Sequence, residues 1–167
     1  MMRVAVWIGA AAVLLVACTP KPDPTDWQPV TLDELKPTPE FAMRTGSGGD
    51  YLTATGDFDA DGKPDTARLV KDEKRGRGGV IVVLGNGKAY FTVSEFPIAD
   101  LPRMGVNALR PGVYPKACVD EAMKPMSCST QPEITFEKDA LDVFAFNAHG
   151  RFIYWIGGAF NIVGISE

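Results

Sequence analysis

Apolar positions along this chain come in short runs of four or five, broken by clusters of Gly, Asp, Asn, Lys and Pro. That pattern predicts strands and turns rather than helices. Residues 51–55 and 66–70 form the first two runs. Residues 71–79 are a charged, glycine-rich turn whose mixed signs mark a solvated loop. Val80-Ile81-Val82-Val83-Leu84 is apolar throughout, the signature of a central strand buried on both faces. Asn86-Gly87 predicts a type I′ hairpin, because both of its central residues need positive φ, and residues 89–93 form the return strand. Four prolines within residues 95–117 (Pro97, Pro102, Pro111, Pro115) predict irregular structure or edge pairing. Residues 133–136, 140–146, 151–156 and 159–165 read as a four-strand antiparallel meander, turning at Asn147-Ala148-His149-Gly150 and Gly157-Gly158. Phe144, Phe146, Phe152, Tyr154 and Phe160 alternate with Val143, Ile153, Trp155 and Ile162. Bulk on both faces predicts that this sheet is packed between a second sheet and something else. The expected class is mostly β: antiparallel sheets in a meander, sandwich-like or strongly curved, with at most one or two short helices.

The first 50 residues read differently. Arg3 is the only charge before an apolar stretch over residues 4–16, which ends in Leu15-Val16-Ala17-Cys18. A short basic start followed by a short apolar body is the pattern of a secretory signal, too short for a durable membrane span. Leu-Val-Ala-Cys resembles the lipobox of bacterial lipoproteins. The resemblance implies cleavage before Cys18 and lipid on Cys18. The expected location is therefore the cell envelope, with the membrane as a partner through that lipid. By the sorting rule of enteric lipoproteins, Thr19 implies the outer membrane, facing the periplasm. Residues 19–30 are proline-rich and polar, as in an extended spacer. Thr31-Leu32-Asp33-Glu34 carries a capping-box pattern that predicts one short helix, and Pro37 and Pro39 keep it short. Gly46-Ser47-Gly48-Gly49 reads as a joint. The expected organisation is a signal peptide over 1–17, a lipidated cysteine and tether over 18–45, and one β-rich domain over 46–167.

Of 167 residues, 17 are Lys or Arg and 21 are Asp or Glu, a net charge of −4. This excludes nucleic acid as an expected partner, since nonspecific binding needs basic surface. With Cys18 lipidated, Cys118 and Cys128 remain as an even pair in an oxidising compartment, expected to form a disulfide. Closing a loop of about ten residues contributes roughly 2–3 kcal/mol in the chain-entropy account. A redox pair is the alternative, but the spacing is far from Cys-x-x-Cys.

Chemistry concentrates in Gly56-Asp57-Phe58-Asp59-Ala60-Asp61-Gly62-Lys63-Pro64-Asp65. Carboxylates at positions one, three and five can wrap a hard cation that takes six to eight oxygens. Glycine at position six permits a sharp turn, which brings in the Lys63 carbonyl, and Asp65 at position nine can add further oxygens. Arg68 stands where an EF-hand has its bidentate Glu, and strands flank the loop. The segment over residues 56–70 is similar instead to the Asp-rich loops of FG-GAP and VCBS-type repeats, including those of integrin propellers. That resemblance implies a calcium loop joining two antiparallel strands, with Asp57, Asp59, Asp61, Lys63 and Asp65 as ligands and Ca2+ in a structural role. The motif occurs once, so a propeller is not expected. The alternative is an acidic turn without an ion, since Asp and Gly are ordinary turn residues. Residues 56–166 also resemble small bacterial exported proteins that combine such a loop, a Cys–Cys loop and a terminal aromatic hairpin; that resemblance implies no activity.

A catalytic set is not legible. His149 is the one histidine, and neither Ser47, Ser94, Ser127 nor Ser129 has a nucleophile-elbow context. No P-loop or dinucleotide fingerprint is present. The expected function is therefore a lipid-anchored envelope protein with a calcium-stabilised β domain, not an enzyme, serving a binding or structural role toward an envelope or cell-wall partner. Two alternatives remain: a periplasmic enzyme inhibitor presenting the Cys118–Cys128 loop, and an envelope hydrolase using the Asp-loop carboxylates.

Overall fold

A computed structural model describes residues 26–46, 48–87, 89–117 and 132–166. Among the described residues strands account for 51%, and the helices are three and short, so the mostly-β, antiparallel class holds. Three antiparallel sheets carry the fold. The first is built on β3 (Asp65–Asp72), with β4 (Arg77–Val83) and then β5 (Ala89–Pro97) to one side. The other edge of β3 is shared. β1 (Gln28–Pro29) lies opposite Lys71 and Val70, and β2 (Thr53–Gly56) lies opposite Arg68 to Asp65. The second sheet has the order β11 (Ala159–Ser166), β10 (Gly150–Ile156), β9 (Ala140–Ala145), β6 (Met104–Leu109). β7 (Gly112–Pro115) and β8 (Glu133–Phe136) form a two-stranded ribbon.

One core joins the two large sheets. Leu69, Val80 and Val82 from the first meet Val106, Leu141, Val143 and Ile153 from the second, all at most 2% exposed. The opposite face of the second sheet buries Phe136, Ala140 and Phe152 with Tyr114 and Ile134 of the ribbon. Phe152 and Tyr154 thus pack on one face and Val143, Ile153 and Trp155 on the other, as the alternation predicts, but Phe160 joins Trp155 on the inner side and Ile162 is exposed. Phe136 meets Phe152 edge-on with ring centroids 5.6 Å apart, a favourable geometry for the ring quadrupoles.

Four expectations need correction. The meander runs through β9, β10 and β11 only; residues 133–136 leave it to pair with β7, and β6 takes the fourth place beside β9. The proline-rich stretch is largely ordered: it holds β6, β7 and a 3-10 helix, Ile98–Arg103, with Pro102 inside the helix. Pro97 ends the edge strand β5 and Pro115 ends β7 of the two-stranded ribbon, the edge pairing expected of them, while Pro102 lies in the helix and Pro111 in the bend between β6 and β7; in such places a missing N–H costs little. The hairpin after β4 is not a two-residue turn at Asn86-Gly87. Val83 pairs with Ala89, the Gly87 N–H reaches the Leu84 carbonyl at 2.8 Å, and of residues 85–87 only Gly87 has positive φ, +81°. Gly157 and Gly158, by contrast, have φ of +60° and +89° between the paired Ile156 and Ala159, as a type I′ turn requires.

The fourth correction concerns the tether. From Asp26 onward its described part belongs to the packed unit. Trp27, Val30 and Leu35 are buried, and the Val30 N–H donates to the Leu69 carbonyl at 3.1 Å. The expected helix is α1 (Leu32–Leu35), where the Glu34 carboxylate accepts from the Thr31 N–H at 3.0 Å, half of the capping box. A second helix, α2 (Glu40–Gly46), follows the prolines. It carries Arg44, which is fully buried. The Arg44 guanidinium donates to the carbonyls of Asp50, Pro102 and Met104 and lies over the Phe146 ring. Burial lowers the Arg44 pKa, the Asp50 carboxylate raising it in part. Cys18, Cys118 and Cys128 lie outside the described residues, so lipidation and the disulfide stand as expectations.

Candidate metal centre

The Asp-rich loop connects β2 to β3, with Gly56 paired to Asp65 at its neck. Two residues anchor it from below. Phe58 is 1% exposed and plugs the loop into the common core. Asp65, fully buried, accepts the N–H groups of Phe58 at 2.7 Å, Asp59 at 3.3 Å and Gly85 at 2.7 Å. Burial pushes the Asp65 carboxyl above its ordinary 3.8; the Gly85, Phe58 and Asp59 amides oppose this, and the Asp59 charge adds to it. Three amide donors occupy most of the acceptor capacity of one carboxylate. Asp65 is thus a support for the loop, not part of the acidic group above it.

That group is Asp57, Asp59 and Asp61. One oxygen from each lies within 4.8 Å of the others. The intervening backbone holds them there. Gly62 N–H donates to Asp57 Oδ2 at 3.0 Å, Asp61 N–H to Asp59 Oδ1 at 3.2 Å and Lys63 N–H to Asp61 Oδ1 at 2.9 Å. Gly62 takes φ +82° and Ala60 φ +61°, so the loop curls through two left-handed positions, one of them strained for a residue with a Cβ. The Lys63 ammonium lies 3.9 Å from Asp61 Oδ2 on the solvent side. Asp57 Oδ1 is buried and has no hydrogen-bond partner among the described residues, an arrangement that costs free energy unless something compensates it. Two unit charges at such separations repel by about 1 kcal/mol in bulk water and several times that near a protein surface. Oxygen donors alone, several of them charged, suit a hard cation such as calcium.

A contact that the sequence does not signal closes the site from the side. Asp139, 7% exposed in the turn between β8 and β9, accepts the Asp57 N–H at 3.0 Å and the Arg110 guanidinium at 2.8 Å through one oxygen, Oδ2. Gly56 permits this approach, because a Cβ there would sit 2.7 Å from Asp139 Oδ2 and 2.8 Å from Phe58 Cε1. Asp139 follows Glu137 and Lys138 and reads in the sequence as part of a solvated turn. Its reach across 82 residues of chain has no local signature. His149 lies far along the chain, exposed in the turn before β10 and outside the acidic group. No protein-family profile matches this chain, and neither curated proteins nor solved structures yielded a match.

Proposed function

We propose that this is a lipid-anchored cell-envelope protein, held to the membrane through Cys18, whose β domain is stabilised by one calcium ion and which serves a non-enzymatic binding or structural role. The observation that carries the cation reading is the convergence of Asp57, Asp59 and Asp61 around the unpartnered Asp57 Oδ1. In this reading those three carboxylates and the Lys63 carbonyl hold the ion. Its charge offsets the mutual repulsion of the acids, and Asp65 and Asp139 fix the amides on which the loop hangs. The anchoring rests on the leader pattern and Cys18. A non-catalytic role is supported by a donor set that the loop itself organises, with the sole histidine elsewhere.

A thermal melt of the full chain in excess EDTA, repeated with about 1 mM calcium, tests the cation. A site with Kd near 0.1 mM, in the range of extracellular modules, gains roughly 1.4 kcal/mol. That corresponds to a rise of roughly 3–6 °C in Tm for a domain of this size. Magnesium should not reproduce the rise, because it dehydrates reluctantly and prefers a tighter octahedron, and Asp61→Asn should abolish it. No rise with calcium would reduce the loop to an acidic turn.

A further inference from the structure

Between the inner faces of the two large sheets, beside the 3-10 helix, lies a cleft of about 330 Å³. Its walls come from β5, the start of β6, β9 and the turn leading into β10. Neighbours directly across antiparallel strands share a face. Val106 lies opposite Val143, and Val143 opposite Arg151. Val106 and Val143 are buried in the common core, so Arg151 stands on the same inward row. Two residues further along β10, on that same face, Ile153 is 1% exposed. Where the strand alternation calls for an apolar residue, the chain therefore places an exposed guanidinium.

The charges around this position are unequally spent. Glu95 is held by Arg77 at 2.6 Å and Asp100 by Arg103 at 3.0 Å. Arg151 and His149 both line the cleft, and neither has a hydrogen-bond or ion-pair partner among the described residues. Phe96, Met104, Val143 and Ala145 supply apolar walls. A pocket with an apolar body and a few polar groups at one end fits a small molecule of the same division. Its volume is that of roughly ten waters of liquid, suited to about ten to twelve heavy atoms.

We propose that this cleft binds a small amphipathic carboxylate. The planar fork of Arg151 takes the carboxylate, as guanidinium groups do in two parallel hydrogen bonds. His149 lies at its side, and Phe96, Met104 and Val143 cover the apolar body. A bare inorganic anion would leave those walls unused, and a cation would meet the unpaired arginine. This site is independent of the Asp loop and of the calcium reading.

The probe is 4-phenylbutyrate, titrated into the 15N-labelled full chain and followed by amide chemical shifts, with 4-phenylbutan-1-ol as its uncharged counterpart. The expected result is saturable shifts confined to residues 94–104 and 143–151, with the alcohol binding at least about tenfold more weakly. Arg151→Gln should weaken the acid roughly tenfold and leave the alcohol unchanged, while Arg151→Lys weakens it less. Absence of localised shifts up to about 10 mM acid, equal binding of acid and alcohol, or an unchanged affinity in folded Arg151→Gln would overturn the proposal. Should Arg151→Gln fail to fold, the acid–alcohol comparison on the unaltered chain decides.

Discussion

Arg44 shows how much one residue can carry when its surroundings supply the partners. It donates three hydrogen bonds to carbonyls, joining α2 to residue 50 nearby and to the distant junction of the 3-10 helix with β6. Bonds from a charged donor contribute about 1.5–3 kcal/mol each when a partner would otherwise be left buried. Arg44→Ala should therefore destabilise the protein by about 3 kcal/mol, a fall of roughly 6–12 °C in Tm. Arg44→Lys should recover only a minor part, since an ammonium cannot reproduce the fork. Thermal melts of both variants check this. In the sequence, Arg44 reads as an ordinary polar residue of a tether. The acids of the Asp-rich loop are different, because Asp57, Asp59 and Asp61 are separated by single residues and turn geometry alone brings them together. Asp65 shows the boundary of such reasoning. Its spacing suggests a ligand, but burial between Phe58, Asp59 and Gly85 makes it a support.

At the scale of elements, the β3–β4 turn is fastened by its own charges. The Arg75 N–H and guanidinium both reach Asp72, at 3.1 and 2.8 Å, and the guanidinium also meets Asp26 at 2.9 Å. Burial by itself would raise the Asp72 carboxyl; the hydrogen bonds from Arg75 outweigh it and hold the group below its ordinary 3.8. An acid with a depressed folded pKa stabilises the fold above its unfolded pKa, and that stabilisation disappears as pH falls through the folded value. Arg75→Gln should therefore lose stability relative to the parent chain at pH 5–7. The two stability curves should converge as pH falls through the folded pKa of Asp72, where the carboxyl becomes protonated in both states. Denaturant unfolding from pH 7 downward reads the difference, and a gap that does not narrow as the pH becomes more acidic would contradict it. The turn chemistry of this element was legible in the charged, glycine-rich stretch; the pairing of Asp72 with Arg75 rather than with another of its neighbours was not, because it depends on which side chain the strand buries.

For the whole molecule, residues 26–46 are part of the fold rather than a spacer beside it. Leu35 is 3% exposed, Val30 6% and Trp27 7%, and β1 covers an edge of β3 that β2 leaves open. A chain beginning at Asp50 should lack cooperative unfolding, since it uncovers that edge and the core beneath α1. Leu35→Ala in the full chain should cost about 2–4 kcal/mol. Retention of a sharp, unshifted melt by the shortened chain would restore the domain boundary to residue 46. Proline-rich composition suggested an extended linker, yet three buried apolar side chains within nine residues outweigh it: burying each contributes about 1.5–3 kcal/mol.

The sequence by itself determined the local geometry. Short apolar runs marked β2 to β5, alternating bulk marked β9 to β11, Gly157-Gly158 set a turn, and alternate acids with Gly62 set a loop that gathers three carboxylates. Each depends on residues a few positions apart, where backbone sterics and side-chain spacing leave few choices. Tertiary structure decided which strands meet and which polar groups are consumed. It sent β8 to β7 instead of β9, drew residues 26–46 onto the core, assigned Asp65 to amides and brought Asp139 beneath Asp57. It also left Arg151 without a partner among the described residues, on an inward row. Those outcomes turn on burial and on partners tens of residues distant, and a buried polar group takes whichever partner the packed chain brings within reach.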